Sequence, residues 1–194
     1  MGVTGGLSGY HPTYSWIEWS KGMQRTIDEA AEQGTGAAER VSYGKLWVAG
    51  ILLGLGFGGF FDGIVFHQLL QWHHMLTSAG YPPDSVQNLQ VNTLADGAFH
   101  AATYIFTAAG LLVLWRALPL PRGRRAGWYL VGAILVGWGA FNVVEGIVNH
   151  HLLGLHHVRE DVPVEQWLAW DLAFLLWGAL MALGGWWITR RTAD

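Results

Sequence analysis

The chain has no cysteine, which removes several kinds of site at once. Disulfides, zinc-thiolate centres, iron–sulfur clusters and thiolate nucleophiles all need the thiol, so each of them is excluded. Any metal must therefore be held by nitrogen and oxygen ligands. Charge is also scarce, since only 13% of the 194 residues are Asp, Glu, Lys or Arg. The eleven Lys and Arg form no basic face, so no nucleic-acid partner is expected.

The first forty or so residues lack a long apolar run, and we do not expect them to be a cleavable signal peptide. Over the whole chain, however, 52% of residues are hydrophobic, with twelve Trp and 27 Gly, which is typical of a membrane protein. A span needs about 20 apolar residues. Four runs qualify, at residues 46–70, 95–115, 126–150 and 167–188. The short loops between them predict an all-α, integral membrane four-helix bundle that contacts membrane lipid.

Two segments are expected: a cytoplasmic or interfacial segment at residues 1–44 and the bundle at 45–190. Residues 16–33 predict a short N-terminal amphipathic helix. Short loops rich in Lys and Arg stay in the cytoplasm. The cations cluster before the first span, between the second and third, and after the fourth, at Lys21, Arg25, Arg40, Lys45, Arg116, Arg122, Arg124, Arg125, Arg190 and Arg191. This predicts a multi-pass protein with both termini in the cytoplasm.

An internal repeat appears when the chain is aligned with itself at an offset of 83 residues. Asp62-Gly-Ile-Val-Phe-His67 then falls on Glu145-Gly-Ile-Val-Asn-His150, and the pair His73-His74 falls on His156-His157. The second and fourth spans also correspond, though more loosely: each has an aspartate near its start, Asp96 or Asp171. We interpret the bundle as two repeated helical hairpins related by a pseudo-twofold axis along the membrane normal.

The repeat brings ionisable side chains to one depth, near the outer end of the bundle. The first and third spans carry these residues near their C-terminal ends, and the second and fourth spans carry them near their N-terminal ends. Ionisable groups at such a depth are costly unless paired or coordinated, so they usually mark function. The predicted metal-binding residues are Asp62, His67, His73, His74, Asp96, His100, Glu145, His150, His156 and His157, and the supporting residues around them are Asp171, Asn149 and His151.

Spacing suggests which of these side chains are primary ligands. Asp96 and His100 are four apart and share a helix face, so they could chelate one ion. Asp62 and His67 are five apart, about 140° around a regular helix, and could meet at one ion only if the helix bulges. We expect primary ligands from these two pairs and from Glu145 and His150. For His73, His74, His156 and His157, a position at a solvated helix end is an equally good interpretation.

Copper is the favoured metal, because imidazole suits it and the site faces outward; iron, zinc and haem are the alternatives. The function expected is a periplasm-facing metalloprotein for redox chemistry, as a metal-dependent oxidoreductase, or for metal handling in oxidase assembly. Other interpretations stay open: a di-iron or haem redox protein, a proton or ion pathway, or a structural partner whose polar layer fixes helix register. The sequence leaves open whether the chain forms a homo-oligomer.

Three strings carry a family resemblance: Gly59 to Met75, Asp96-Gly-Ala-Phe-His100, and Asn149 to Glu160. They resemble a bacterial family of predicted membrane proteins, domain-of-unknown-function family 2243, over about residues 45–190. The resemblance implies a four-span protein of the bacterial inner membrane and no particular activity. It also suggests cytochrome-oxidase assembly or copper-handling proteins as partners. The Asp96 and His100 pair is similar to the Asp-x-x-x-His pair of copper-dependent membrane monooxygenases, and the clustered histidines resemble those of di-iron membrane desaturases.

Overall fold

The computed structural model describes residues 16–120 and 124–193, and these residues are helical apart from the connecting loops. Its elements are the helices α1 (Trp16–Phe61), α2 (Val86–Arg116), α3 (Arg124–Glu145) and α4 (Trp167–Ala193), two π-helical segments at Asp62–Leu69 and Gly146–Leu152, and a 3₁₀ turn at Val164–Gln166. No strand occurs in this part of the chain. The predicted all-α fold is confirmed.

Four stretches are long and apolar enough to cross a membrane, as the sequence predicted. They are Ser42–Leu69, Val86–Arg116, Arg124–Leu152 and Val164–Thr192. Each is longer than the predicted apolar run, because polar residues at the ends continue the helix. Large apolar side chains on these helices face outward, for example Leu176, Leu180 and Leu183, all about 60% exposed. Such a surface is typical of contact with lipid or with another apolar surface.

The described residues divide between Arg40 and Val41 into two units. In the first unit, α1 presents a row of exposed apolar side chains at helical spacing: Trp16, Trp19, Met23 and Ile27. The rings of Trp16 and Trp19 meet edge to face at 6.0 Å. Residues 16–33 are helical, as predicted, although the helical backbone does not stop there and runs on to Phe61.

In the second unit, glycines allow the helix backbones to approach closely. A Cβ on Gly54 of α1 would strike the carbonyl oxygen of Ile134 in α3, and a Cβ on Gly137 would strike Ile51. A Cβ on Gly139 of α3 would likewise strike the carbonyl oxygen of Gly178 in α4. Without a hydrophobic driving force between helices in lipid, such close packing is a main source of association. These contacts hold α1 and α4 against α3.

Two loops, residues 70–85 and 153–163, connect the spans at one end of the bundle, here called the loop end. They are bonded to each other: Glu160 N donates to the Trp72 carbonyl (3.0 Å), and Ser78 N donates to that of Leu155 (3.0 Å). The Arg159 guanidinium lies 4.8 Å from the ring of Trp72 and 4.9 Å from that of Trp170. The loops therefore form one cross-linked layer over the helix ends.

Candidate metal centre

The two π-helical segments place an acid and a histidine on the same side of the chain. In a π-helix the backbone bonds to the fifth residue along, so residues five apart come into register. His67 Nε2 accordingly lies 3.1 Å from Asp62 Oδ2, and His150 Nε2 lies 3.1 Å from Glu145 Oε2. The bulge that the spacing of Asp62 and His67 required is therefore present in both halves.

The other ring nitrogen of each of these histidines faces a second carboxylate. His67 Nδ1 lies 2.8 Å from Asp96 Oδ1 on α2, and His150 Nδ1 lies 3.3 Å from Asp171 Oδ1 on α4. A carboxylate beside Nδ1 fixes the orientation of the ring and favours a hydrogen on that nitrogen. For His67, which makes this hydrogen bond to Asp96, Nε2 is then left with its lone pair on the Asp62 side.

His73 and His156, from the two loops, are anchored by backbone carbonyls instead. His73 Nδ1 donates to the carbonyl oxygen of Val158 at 2.8 Å, and His156 Nδ1 donates to that of Met75 at 3.1 Å. A carbonyl can only accept, so both Nδ1 atoms carry the hydrogen. Burial lowers the pKa of the His73 imidazole well below its ordinary value. His73 is therefore neutral and offers its Nε2 lone pair.

Several inward-facing atoms are buried and accept or donate no hydrogen bond among the described residues: His67 Nε2, His73 Nε2, His150 Nε2, Asp62 Oδ2 and Glu145 Oε2. The 3.1 Å approaches noted above, and the 3.3 Å approach of His150 Nδ1 to Asp171, do not have the geometry of a hydrogen bond. His156 Nε2 lies 2.9 Å from Glu145 Oε1, although its only hydrogen in the neutral ring is on Nδ1. Nitrogen and oxygen atoms that lie close together with no hydrogen between them are typical of the ligands of a cation.

These six side chains, Asp62, His67, His73, Glu145, His150 and His156, are here called the histidine cluster. His67, His73 and His156 each have one possible ligand atom within 4.8 Å of those of the other two. The same holds for Glu145, His150 and His156. All six residues are at least nine-tenths buried. The two triads share His156, so the cluster is one continuous group.

Asp96 and Asp171 form an outer layer around the cluster. Asp96 accepts from His67, from the Met75 backbone N–H (2.9 Å) and, through Oδ2, from His74 Nδ1 (2.9 Å). Asp171 makes the matching contacts with Val158 N (2.9 Å) and His157 Nδ1 (2.6 Å). Each carboxylate thus ties an inner imidazole to a loop backbone and to an outer histidine. Asp96, predicted as a ligand, thus makes the same kinds of contact as Asp171, which was predicted with Asn149 and His151 as a supporting residue.

Three predicted residues remain: His100, Asn149 and His151. His100 packs beside Gly63, where a Cβ would strike its Nε2, and stacks on Phe60 at 6.2 Å. Among the contacts of the described residues, none joins His100 to Asp96. Asn149 Nδ2 reaches Glu145 Oε1 at 3.4 Å. His151 is exposed.

Sequence reasoning missed the groups that position the loop histidines. The carbonyls of Val158 and Met75 anchor His73 and His156, and buried Asn92 holds the first loop by accepting from Leu76 N at 2.9 Å. Backbone acceptors leave no mark in a sequence. Asn92, four residues before Asp96, is a polar residue on the same helix face and could have been noticed.

The contacts of the two halves correspond, with Asp96 matched to Asp171 and the other residues matched at the offset of 83. The His67–Asp62, His67–Asp96 and His74–Asp96 approaches match those of His150–Glu145, His150–Asp171 and His157–Asp171. Left-handed backbone follows each π-helical segment, at Gln71 (φ 51°) and at Gly154 (φ 58°). The two repeated helical hairpins related by a pseudo-twofold axis stay a prediction, but the correspondence of these contacts is a property of the structure.

A family model described as a predicted membrane protein, DUF2243, matches residues 49–192, which include the whole cluster. The chain belongs to the DUF2243 family. No curated protein and no solved structure matches it. Membership agrees with the four candidate spans and assigns no activity to this DUF2243 protein.

Proposed function

We propose that this protein binds a transition metal in the histidine cluster. One observation carries the proposal: four buried imidazoles, each with Nδ1 facing an acceptor outside the cluster, surround two carboxylate oxygens that lack hydrogen-bond partners among the described residues. Each buried polar atom left unsatisfied costs about 1–3 kcal/mol. Metal ions held at the two triads that share His156 would accept lone pairs from these atoms and remove that cost.

Distances inside the cluster suit a metal. With metal–nitrogen and metal–oxygen distances near 2.1 Å, neighbouring ligand atoms are about 3.0–3.4 Å apart in octahedral or tetrahedral geometry. His67 Nε2 and Asp62 Oδ2 are 3.1 Å apart, as are His150 Nε2 and Glu145 Oε2. The outer carboxylates Asp96 and Asp171 provide the supporting shell typical of metal-bound histidines.

A proton pathway through the membrane is less well supported. Contacts do lead outward from His67 through Asp96 to His74, whose side chain is 16% exposed. Toward the opposite end, however, the buried polar side chains among the described residues are Thr103, Asn142 and Thr189, none of which is a carboxylate or an imidazole. A relay would therefore reach only one surface.

Copper is the first candidate for the metal. The loops at the loop end contain a single cation, Arg159, so the positive-inside rule turns the cluster toward the outside of a bacterial inner membrane. Copper is favoured there by imidazole ligands, while the carboxylates also suit iron and zinc. Haem fits poorly, because the rings of His73 and His156 lie within 6.4 Å of both His67 and His150 and fill the space a macrocycle needs. Bound copper would serve redox chemistry or delivery to an oxidase.

The test is metal analysis of the protein purified without a histidine tag, from cells supplied with copper, iron and zinc. We expect metal in stoichiometric amount, identified by plasma mass spectrometry. His73→Ala and His156→Ala should each lower occupancy at least tenfold. His151→Ala is the matched control, because His151 is exposed beside the site, and it should retain the metal. Circular dichroism and gel filtration establish that each variant is folded. Folded wild-type protein without metal would end the proposal.

A further inference from the structure

A cavity of about 280 Å³ lies between α1, α2 and α3, beside the histidine cluster. Six apolar side chains form its walls, among them Phe99, Phe141 and Val148. Its two polar lining residues are Glu145 and Asn149. An apolar cavity with a few convergent polar groups is the usual form of a small-molecule site.

The two polar residues that line the cavity have hydrogen-bonding capacity that the protein itself does not use. Glu145 Oε2 is buried and has no hydrogen-bond partner in the part of the chain that the structure describes. Glu145 Oε1 lies 2.9 Å from His156 Nε2 and accepts a hydrogen bond from the Asn149 amide only at 3.4 Å. A hydroxyl group can donate to a carboxylate and accept from an amide at the same time. The cavity is therefore suited to a ligand with a hydroxyl group.

The cavity faces the lipid. All its lining residues belong to the membrane spans, and two of them, Phe106 and Val144, are 41% and 59% exposed on the bundle surface. A ligand that enters here comes from the bilayer, so its body must be apolar. Glu145 belongs both to this cavity and to the histidine cluster, so a bound hydroxyl would lie next to the cluster.

We propose that this cavity binds a lipophilic, single-ring phenol or hydroquinone, whose hydroxyl group donates to Glu145. A cavity of about 150 Å³ holds benzene, so this one has room for a substituted ring. The ring packs against Phe99 and Phe141, which are favourable partners for another aromatic ring. Its role as the substrate of the metal centre rests on the proposed function, whereas binding itself does not.

The probe is a 4-alkylphenol that carries a photoactivatable diazirine, added to the intact protein in lipid nanodiscs. After irradiation, peptide mass spectrometry maps the labelled residues. We expect labels concentrated on the α2 and α3 peptides around Phe99 and Val148. Val148→Trp and Val144→Trp fill the cavity and should reduce this label at least tenfold. Ile147→Trp, on the same segment but outside the cavity lining, is the matched control and should retain it.

Two comparisons decide the outcome. The same probe without its hydroxyl group should label the cavity at least fivefold less; equal labelling would mean that any acyl chain enters and would overturn the proposal. Labelling spread evenly over the lipid-facing helices would overturn it too. Metal content is measured in the same samples. A labelled cavity without metal removes the proposed function alone, and metal without cavity labelling removes this inference alone.

Discussion

The imidazoles of His73 and His156 stack face to face, with centroids 4.5 Å apart and ring planes 4° from parallel. Each ring comes from one loop and bonds through Nδ1 to the backbone of the other loop. Two imidazolium ions at this distance would repel strongly. The stack therefore favours neutral rings, and two neutral rings anchored at Nδ1 present two Nε2 lone pairs. The loops that cross at the loop end are what bring these two ligands together.

Metal should stabilise the folded protein by mass action. For a ligand that binds only the folded state, a hundredfold excess over Kd adds about 2.7 kcal/mol to the free energy of unfolding. Chelator-stripped protein in detergent should thus show a higher thermal midpoint when copper is added. The rise should vanish in His73→Ala and persist in His151→Ala. An equal rise in both variants would assign the effect to binding outside the cluster.

The outer carboxylates should tune metal affinity without being ligands. Asp96→Asn and Asp171→Asn keep the shape but weaken the hold on His67 and His150. Loss of such a supporting group typically lowers metal affinity 10- to 100-fold. Competitive titration against a chelator measures this, with exposed Glu165→Gln as control. Complete loss of binding in Asp96→Asn, as in a ligand variant, would place Asp96 among the ligands, where the sequence first suggested it.

Packing of α1 against α3 should depend on Gly54. A methyl group there would strike the Ile134 carbonyl, so Gly54→Ala should force the helices apart. Overpacking of this kind costs about 1–3 kcal/mol. Unfolding of the micelle-bound protein by sodium dodecyl sulfate gives the change in free energy. Gly184→Ala is the matched control, since nothing lies within 4 Å of a Cβ there, and its stability should not fall.

The left-handed residues after the π-helical segments allow a second matched comparison. Gly154 has φ 58° and Gln71 has φ 51°, at corresponding positions. Left-handed backbone costs a side-chain-bearing residue about 1–2 kcal/mol. Gly154→Ala should therefore lower stability by about 1 kcal/mol, whereas Gln71→Ala should be nearly neutral because that cost is already present. The same detergent unfolding experiment measures both, and equal effects would contradict the argument.

Much of the candidate site could be predicted because the bilayer restricts the choices. Asp62, His67, Glu145 and His150 were identified as a group, since costly residues at matching depths in helices of known length must meet. The pairing of Asp96 with His100 rested on helix spacing alone. In the structure the Asp96 oxygens turn toward His67 and His74, because rings from other elements reach them. Spacing along one helix cannot reveal such competition.

The sequence by itself determined the four membrane spans, the absence of thiol ligands and the common depth of the buried acids and histidines. Hydrophobic length and residue chemistry are local properties, and they carry over directly into the folded chain. Only the tertiary structure decided which nitrogen of each imidazole is free. That choice depends on π-helical turns and on carbonyls exchanged between two loops, about 80 residues apart, whose positions are fixed only when the helices pack.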